Sequence, residues 1–287
     1  MDKLTKKIDE LCPENWRKTL HIPGVYLFKN TQTERATPTM YQASMVFITS
    51  WSKKIQQEDR VYSYGKWKFL LVSIPTPFVC EASADENGMF AWICISINKN
   101  DLFELIKQFK WAEKPTHKKH NLESGVLSLD INDKIYQALE HLLDCWSDPF
   151  EAQILWPSII KAIMFYAIKE SDAQSFCDLV LTNKNLWNFW DMIEDINLNY
   201  KNDISIENLA EEMDMSIPTF YRQFKSLTGF SPNQYIKNLR LSKAKELLMW
   251  ANYSVKQAAR EVWYNSQFQF SREYKRYYWY APIMEGW

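Results

Sequence analysis

Arg222 and Lys225 stand three residues apart in the last third of the sequence, and Arg272 and Lys275 repeat the pair about fifty residues later. Three residues is close to one helical turn, so on a helix each pair shares a face. A guanidinium offers a planar fork of donors and an ammonium a compact charge. Together they suit a partner rich in phosphate and carbonyl acceptors. Each pair also has neighbours that can hydrogen-bond: Thr219 and Tyr221 in one copy, Gln267, Gln269 and Ser271 in the other.

The surrounding residues are duplicated as well. "SIENLAEEMDMSIPTFYRQFKSLTGFSP" and "SVKQAAREVWYNSQFQFSREYKRYYWYAP" align once one extra residue is allowed in the second turn of the later copy. Ala210 then meets Ala259, Phe220 meets Phe270, and Pro232 meets Pro282. Each copy opens on serine, Ser205 or Ser254, and Gln257 completes a capping-box pattern in the second. Each turns and restarts at another serine, Ser216 or Ser266. Phe220, Phe224 and Leu227, like Phe270, Tyr274 and Tyr277, fall at i, i+4 and i+7, a face that must be buried. Tyr221, Arg222 and Lys225 therefore point outward, as do Ser271, Arg272 and Lys275.

A short helix held by a preceding one, with basic and hydrogen-bonding side chains outward, is the layout of a helix-turn-helix. Between the copies runs "SPNQYIKNLRLSKAKELLMW", with Ser231 placed to cap and Pro232 at the first helical position. Twenty helical residues span about 30 Å, close to the ~34 Å between successive major-groove faces of B-DNA. One chain could then reach two turns of a duplex without dimerising.

Composition sets the wider frame. The chain has 287 residues, 46% hydrophobic and 24% charged, as in a soluble protein with one large or two ordinary domains. Net charge is −1, yet residues 200–287 carry 12 Lys and Arg against 9 Asp and Glu, so the acidic excess lies upstream. The charged start "MDKLTKKIDELCPENW" lacks an apolar secretory core, and no apolar run is long enough to span a bilayer. Five scattered cysteines suggest neither a disulfide framework nor a zinc site, and a cytoplasmic location is expected. Cys80 and Cys94 fall on expected strands, as structural thiols. Of the four histidines only His117 and His120 are close, in a Lys-rich stretch read as a solvated loop, while His21 and His141 stand apart. No Gly-rich phosphate loop or Gly-x-Ser-x-Gly elbow is present. No catalytic residue, metal or cofactor is expected.

From about Gly24 to Asn98 the text predicts strands, "SMVFITS", "RVYSYG", "KFLLVSI", "FVCEAS" and "MFAWICISI", at a spacing that suits a small barrel or sandwich. Helices are predicted over "NKNDLFELIKQF", over "INDKIYQALEHLLDCW" with Ile131, Ile135, Leu139 and Leu142 on one face, and over "EAQILWPSIIKAIMFYAIKE", with Pro157 near its start or at a kink. "SDAQSFCDLVLTNKN" is expected to hold the domain boundary, with helix beyond it. Ile135, Leu139, Leu142 and Leu143 are taken as a contact for a second subunit, with an intramolecular core as the alternative.

Residues 200–282 resemble the DNA-binding domain of the AraC family of bacterial transcription regulators, carried by the two copies and the connector quoted above. The resemblance implies seven helices in that domain. It places base reading on Pro218, Tyr221 and Arg222, with Thr219 alongside, and on Gln267, Gln269 and Arg272, with Ser271 alongside. Lys225 and Lys275 would meet the phosphate backbone. Residues 24–180 resemble more loosely the regulatory domain of one subgroup, through "TPTMYQASMVFI", "DRVYSYGKWKFLLVS" and "FEAQILWPSIIKAIMFY". That likeness implies a cupin-like β-barrel followed by helices, able to bind an effector or a second subunit. An α+β chain is expected, with residues 1–180 regulatory and 181–287 binding DNA. The partners implied are double-stranded promoter DNA, RNA polymerase, a small-molecule effector and a second copy in a homodimer, with no membrane.

Against this pattern, Trp51, Trp67, Trp156, Trp263 and Trp279 stand where the family leads one to expect glycine. The chain has 13 tryptophans and only 6 glycines. A UGA codon translated as tryptophan in a lineage that reads it as glycine would account for all five. True tryptophans at 263 and 279 would instead fit an interaction or effector-binding protein with impaired DNA binding.

Overall fold

The computed structural model describes residues 3–12, 16–19, 22–31, 34–57, 60–83, 89–112, 126–169, 177, 184–251 and 253–285. Its N-terminal part is built on ten strands: β1 (Trp16–Thr19), β2 (Val25–Asn30), β3 (Glu34–Tyr41), β4 (Ser44–Ser50), β5 (Ser52–Gln57), β6 (Arg60–Gly65), β7 (Lys68–Val72), β8 (Thr76–Ser83), β9 (Phe90–Ser96) and β10 (Val126–Asp130). They form a six-stranded sheet, β1-β2-β9-β4-β7-β10, and a four-stranded sheet, β3-β8-β5-β6, antiparallel throughout. The two sheets enclose Val46, Ile48, Ile55, Leu70, Val72 and Phe78, giving a cupin-like double-sheet barrel.

The other face of the large sheet is covered too. Met45, Phe47, Phe69, Leu71, Ile93 and Ile95 pack against helices. Burial on both faces explains why β4 and β7 read as unbroken apolar runs instead of alternating. The smaller sheet has a wet face, and β5 alternates exposed with buried residues. One of its inward residues is Lys53, whose ammonium lies over the rings of Tyr41, Phe90 and Trp92 at 5.4, 5.7 and 4.8 Å.

Four helices complete this part: α1 (Lys3–Leu11), α2 (Lys99–Ala112), α3 (Asp133–Asp144) and α4 (Pro149–Lys169). Asn132 caps α3 by accepting from the Ile135 amide. Six more follow: α5 (Lys184–Leu198), α6 (Ile206–Glu212), α7 (Ile217–Thr228), α8 (Pro232–Trp250), α9 (Val255–Glu261) and α10 (Gln267–Tyr278), with a 3-10 turn at Pro282–Met284. The C-terminal region thus has six α-helices and a 3-10 turn among the described residues, where the resemblance implied seven helices.

Several expectations need correction. The charged opening, to which the sequence assigns no element, forms α1, an amphipathic helix that buries Leu4 and Ile8 under the sheet. Strands begin at Trp16 and return at β10, beyond the stretch read as helical, because Val126 to Asp130 pair with β7. Ile135, Leu139, Leu142 and Leu143 are buried within their own chain against α4 and the sheet, so they offer no surface to a second subunit. Pro157 lies inside α4, well past its start. Trp156 also lies in that helix, so its backbone makes no demand for glycine. The other four singled-out tryptophans all have positive φ. His21, His117, His120 and most of the expected boundary segment lie outside the described residues.

Candidate nucleic-acid interface

The first helix-turn-helix is α6 and α7. Ser205 caps α6, its Oγ accepting from the Asn208 amide. The turn closes through the Met215 amide donating to the Ala210 carbonyl at 2.9 Å, with Asp214 at φ 53°. Phe220 and Phe224 are fully buried and meet Phe189 of α5, which leaves the opposite face of α7 outward. There Pro218, Arg222 and Lys225 are exposed, and Thr219 and Tyr221 half-buried. The Tyr221 hydroxyl accepts from Asn233 Nδ2 at 3.0 Å, and Thr219 Oγ1 from the Ser216 hydroxyl at 3.0 Å. Ser216 makes no capping bond to the backbone.

The second unit, α9 and α10, repeats this geometry. Ser254 and Gln257 form the complete capping box, and the Tyr264 amide donates to the Ala259 carbonyl at 2.9 Å, as Met215 does to Ala210. Ser266 caps α10 through the Gln269 amide. Phe270, Tyr274 and Tyr278 are buried, while Gln267, Gln269, Arg272 and Lys275 are exposed and Ser271 half-buried. The tyrosine hydroxyls packed into and around this unit need partners. Tyr264 donates to Glu273 at 2.9 Å; burial, and then the Glu273 charge, raise its pKa and keep it a donor. Tyr274 and Tyr280 both donate to Glu285.

α8 joins the units. Its 19 residues span about 28 Å at 1.5 Å per residue. Ser231 caps its start, and Arg240 anchors its middle, donating to the carbonyls of Tyr200 at 2.9 Å and Asn202 at 2.7 Å. The spacing read from the sequence is therefore carried by one continuous helix.

Residues that sequence reasoning missed flank both units. Phe268 is 91% exposed at the first turn of α10, and Arg276 is exposed near its end. At the first unit the barrel comes close. Gln57 Nε2 donates to the Thr228 carbonyl at 2.7 Å, and the Tyr235 hydroxyl to the Pro75 carbonyl at 2.9 Å. Gly229 ends α7 at φ 80°, and a Cβ there would come within 2.7 Å of the Gln57 side chain. Beside this contact a cleft of about 510 Å³ is bordered by Arg60 of the barrel and by Tyr221, Arg222 and Lys225. No periodicity signals Gln57 or Arg60, because their role comes from a contact between distant segments. Phe268 was legible as an apolar residue outside the buried i, i+4, i+7 set.

Among the described residues one trio could bring metal ligands together, His141, Cys145 and Glu151, with ligand atoms within 4.8 Å of one another. Burial, then the charges of Glu151 and Asp144, push the Cys145 thiol up, which disfavours the thiolate that binds metal. None of the five cysteines is in a disulfide, and no described helix is long and apolar enough to cross a membrane.

Comparison with known proteins follows these divisions. Residues 209–283 match the family described as "Helix-turn-helix domain". Residues 21–175, more than half of the chain, match "AraC-type transcriptional regulator N-terminus". The chain belongs to the AraC-type transcriptional regulators.

Among curated proteins, this AraC-type chain is 24% identical over 156 residues to the HTH-type transcriptional activator RhaS of Escherichia coli, covering 53% of this chain and 54% of that protein. It is 39% identical over 82 residues to an uncharacterized HTH-type transcriptional regulator of Haemophilus influenzae, covering 29% and 28%. The match thus spans about half the length of RhaS. Its fold resembles the crystal structure of ToxT from Vibrio cholerae bound to an unsaturated fatty acid, with TM-score 0.58 and 15% identity over 90% of this chain and 92% of that one. A second ToxT structure, from the P21 crystal form, gives TM-score 0.59 and 14% identity over 90% and 95%.

Proposed function

We propose that this AraC-type chain is a sequence-specific regulator of transcription that binds double-stranded promoter DNA with both helix-turn-helix units. One observation carries the reading: two copies of one motif expose Arg and Lys at equivalent helix positions, and one continuous 19-residue helix, about 28 Å long, joins them. Arg222 and Arg272, with Pro218, Thr219, Tyr221, Gln267, Gln269 and Ser271, are the base-reading set. Lys225 and Lys275 contact phosphate. Residues 1–180 are the regulatory domain and 181–287 the DNA-binding domain. RNA polymerase, a second copy of the chain and a cytoplasmic location belong to the same reading, with no catalytic step.

The barrel is the proposed effector site. Lys53 places a cation among aromatic rings in its interior, an environment suited to an amphipathic acid. That ToxT is seen with an unsaturated fatty acid supports the same class. A footprint of the full chain on DNA upstream of its own gene tests the main reading: protection of two segments one turn apart is expected, and no protection at low salt would defeat it. A rise in Tm with a fatty acid, lost in Lys53→Met, tests the effector class.

A further inference from the structure

Four tryptophans hold a backbone conformation that glycine adopts freely. Among the described residues, φ is positive at Gly24 and Gly229 and at five others: Trp51 (92°), Trp67 (71°), Asp214 (53°), Trp263 (69°) and Trp279 (68°). Aspartate visits this region with help from its short polar side chain. A bulky residue there is an outlier, because its Cβ crowds the backbone carbonyl.

Each of the four sits at a turn or cap. Trp51 joins β4 to β5, Trp67 lies in the turn before β7, Trp263 follows α9, and Trp279 ends α10. The duplication supplies an internal control. Gly229 ends α7 at φ 80°, ψ −9°, and Trp279 ends α10 at φ 68°, ψ 2°, at the matching position of the repeat. One site thus holds glycine in one copy and tryptophan in the other. Burial does not offset the strain, since Trp67, Trp263 and Trp279 are 47, 45 and 60% exposed. Trp67 meets Tyr136 and Trp51 meets Phe90, but the indoles of Trp263 and Trp279 have no ring or hydrogen-bond partner among the described residues.

We infer that positions 51, 67, 263 and 279 are glycine in the protein its own cell makes, the codon being UGA, which some bacterial lineages read as glycine. The barrel corners and the second reading unit then have the residue their backbones require. The coding DNA and the masses of peptides from the native protein test this. UGA at all four positions, with peptides lighter by an indolylmethyl group replaced by hydrogen, is expected. Trp16 and Trp111, at ordinary strand and helix positions, should be UGG and tryptophan. UGG at 263 or 279, or a native peptide carrying tryptophan there, overturns the inference. A recombinant chain with all four changed to glycine should melt roughly 5–10 °C higher than the chain as written. An unchanged or lower Tm would count against it, and Trp111→Gly should lower Tm.

A separate observation concerns Phe268, and it rests on the DNA-binding reading above. Its ring is 91% exposed, whereas Phe270, Tyr274 and Tyr278 on the same helix are at most 1% exposed. It stands between Gln267 and Gln269 at the helix end that enters the groove, opposite Pro218 in the first copy. In the major groove the apolar landmark is the thymine methyl group. The geometry points to Phe268 as a reader of a thymine methyl in the segment bound by the second unit. The probe is the footprinted duplex with single thymines replaced by uracil. The full chain should lose about four-fold in affinity at one such position, from the burial of one methyl. Phe268→Ala should bind both duplexes alike. Tight binding with no thymine preference overturns this role alone, whereas no binding to either duplex overturns the DNA reading with it.

Discussion

The two reading units share a sequence pattern and differ in what surrounds them. Phe220, Phe224 and Leu209 of the first, with Tyr235 at the start of α8, belong to one continuous apolar core that runs through α5, α4 and α3 to the large sheet. Phe270, Tyr274, Tyr278, Ala259 and Val262 of the second form a core of their own with Leu241 and Ala244 of α8. The first unit is hydrogen-bonded to the barrel through Gln57 and Thr228, α8 through Tyr235 and Pro75, and the second packs α10 on β3, where Tyr277 and Trp279 line a cleft with Pro38, Gln56 and Val79. A change in the barrel therefore has a continuous apolar core leading to the first unit, and meets the second through α8 and through the contact of α10 with β3. Units built on one sequence pattern are thus tied to the barrel in different ways.

The sharpest way to break this contrast is to empty the two cores in turn. Phe224→Ala is expected to cost about 3–5 kcal/mol and to lower hydrogen-exchange protection in α5 and the large sheet as well as in α7. Phe270→Ala should cost a similar amount while the barrel keeps its protection. Equal spread of both effects would erase the distinction. Next come the arginines, since Arg222→Ala and Arg272→Ala should each weaken a cognate site by about 1–3 kcal/mol in a binding titration. Lys225→Ala should instead weaken all sequences alike and reduce the salt slope by about one.

A smaller effect tests the hydrogen bond between the barrel and the start of α8. Tyr235→Phe leaves the Pro75 carbonyl without its donor and should cost about 1.5 kcal/mol in denaturant unfolding, with DNA contacts untouched. The smallest is local to the second unit. Ser254→Ala removes one half of the capping box and should cost about 1 kcal/mol, confined to α9 in exchange experiments.

Much of this was legible in the residues. Helical spacing at Phe220 and Phe224 defined a buried face and, by exclusion, the outward Arg and Lys, although Thr228 and Tyr278 are buried where Leu227 and Tyr277, half-buried, were expected. Serines at 205, 231, 254 and 266 marked helix starts, since a free amide there needs a nearby acceptor. Strands β4, β6, β7, β8 and β9 followed from β-branched runs and turns, while β5 and β10 did not. The need for positive φ at four tryptophans showed as a clash between residue type and turn position.

Other features had no local signal. α1 was hidden by its charge, because its apolar stripe is narrow and only the sheet above it explains the stripe. The face of α3 was equally apolar for an inner core or an outer contact, and only the fold showed α4 and the sheet covering it. Trp156 looked like its four companions until the backbone proved helical. Helix period, capping chemistry and the duplication are properties of neighbours in sequence, so the sequence by itself determined the two reading units and their spacing. Which unit fuses with the barrel, and that Gln57, Arg60 and Tyr235 sit at that junction, are contacts between segments far apart in the chain, and only the tertiary structure decided them.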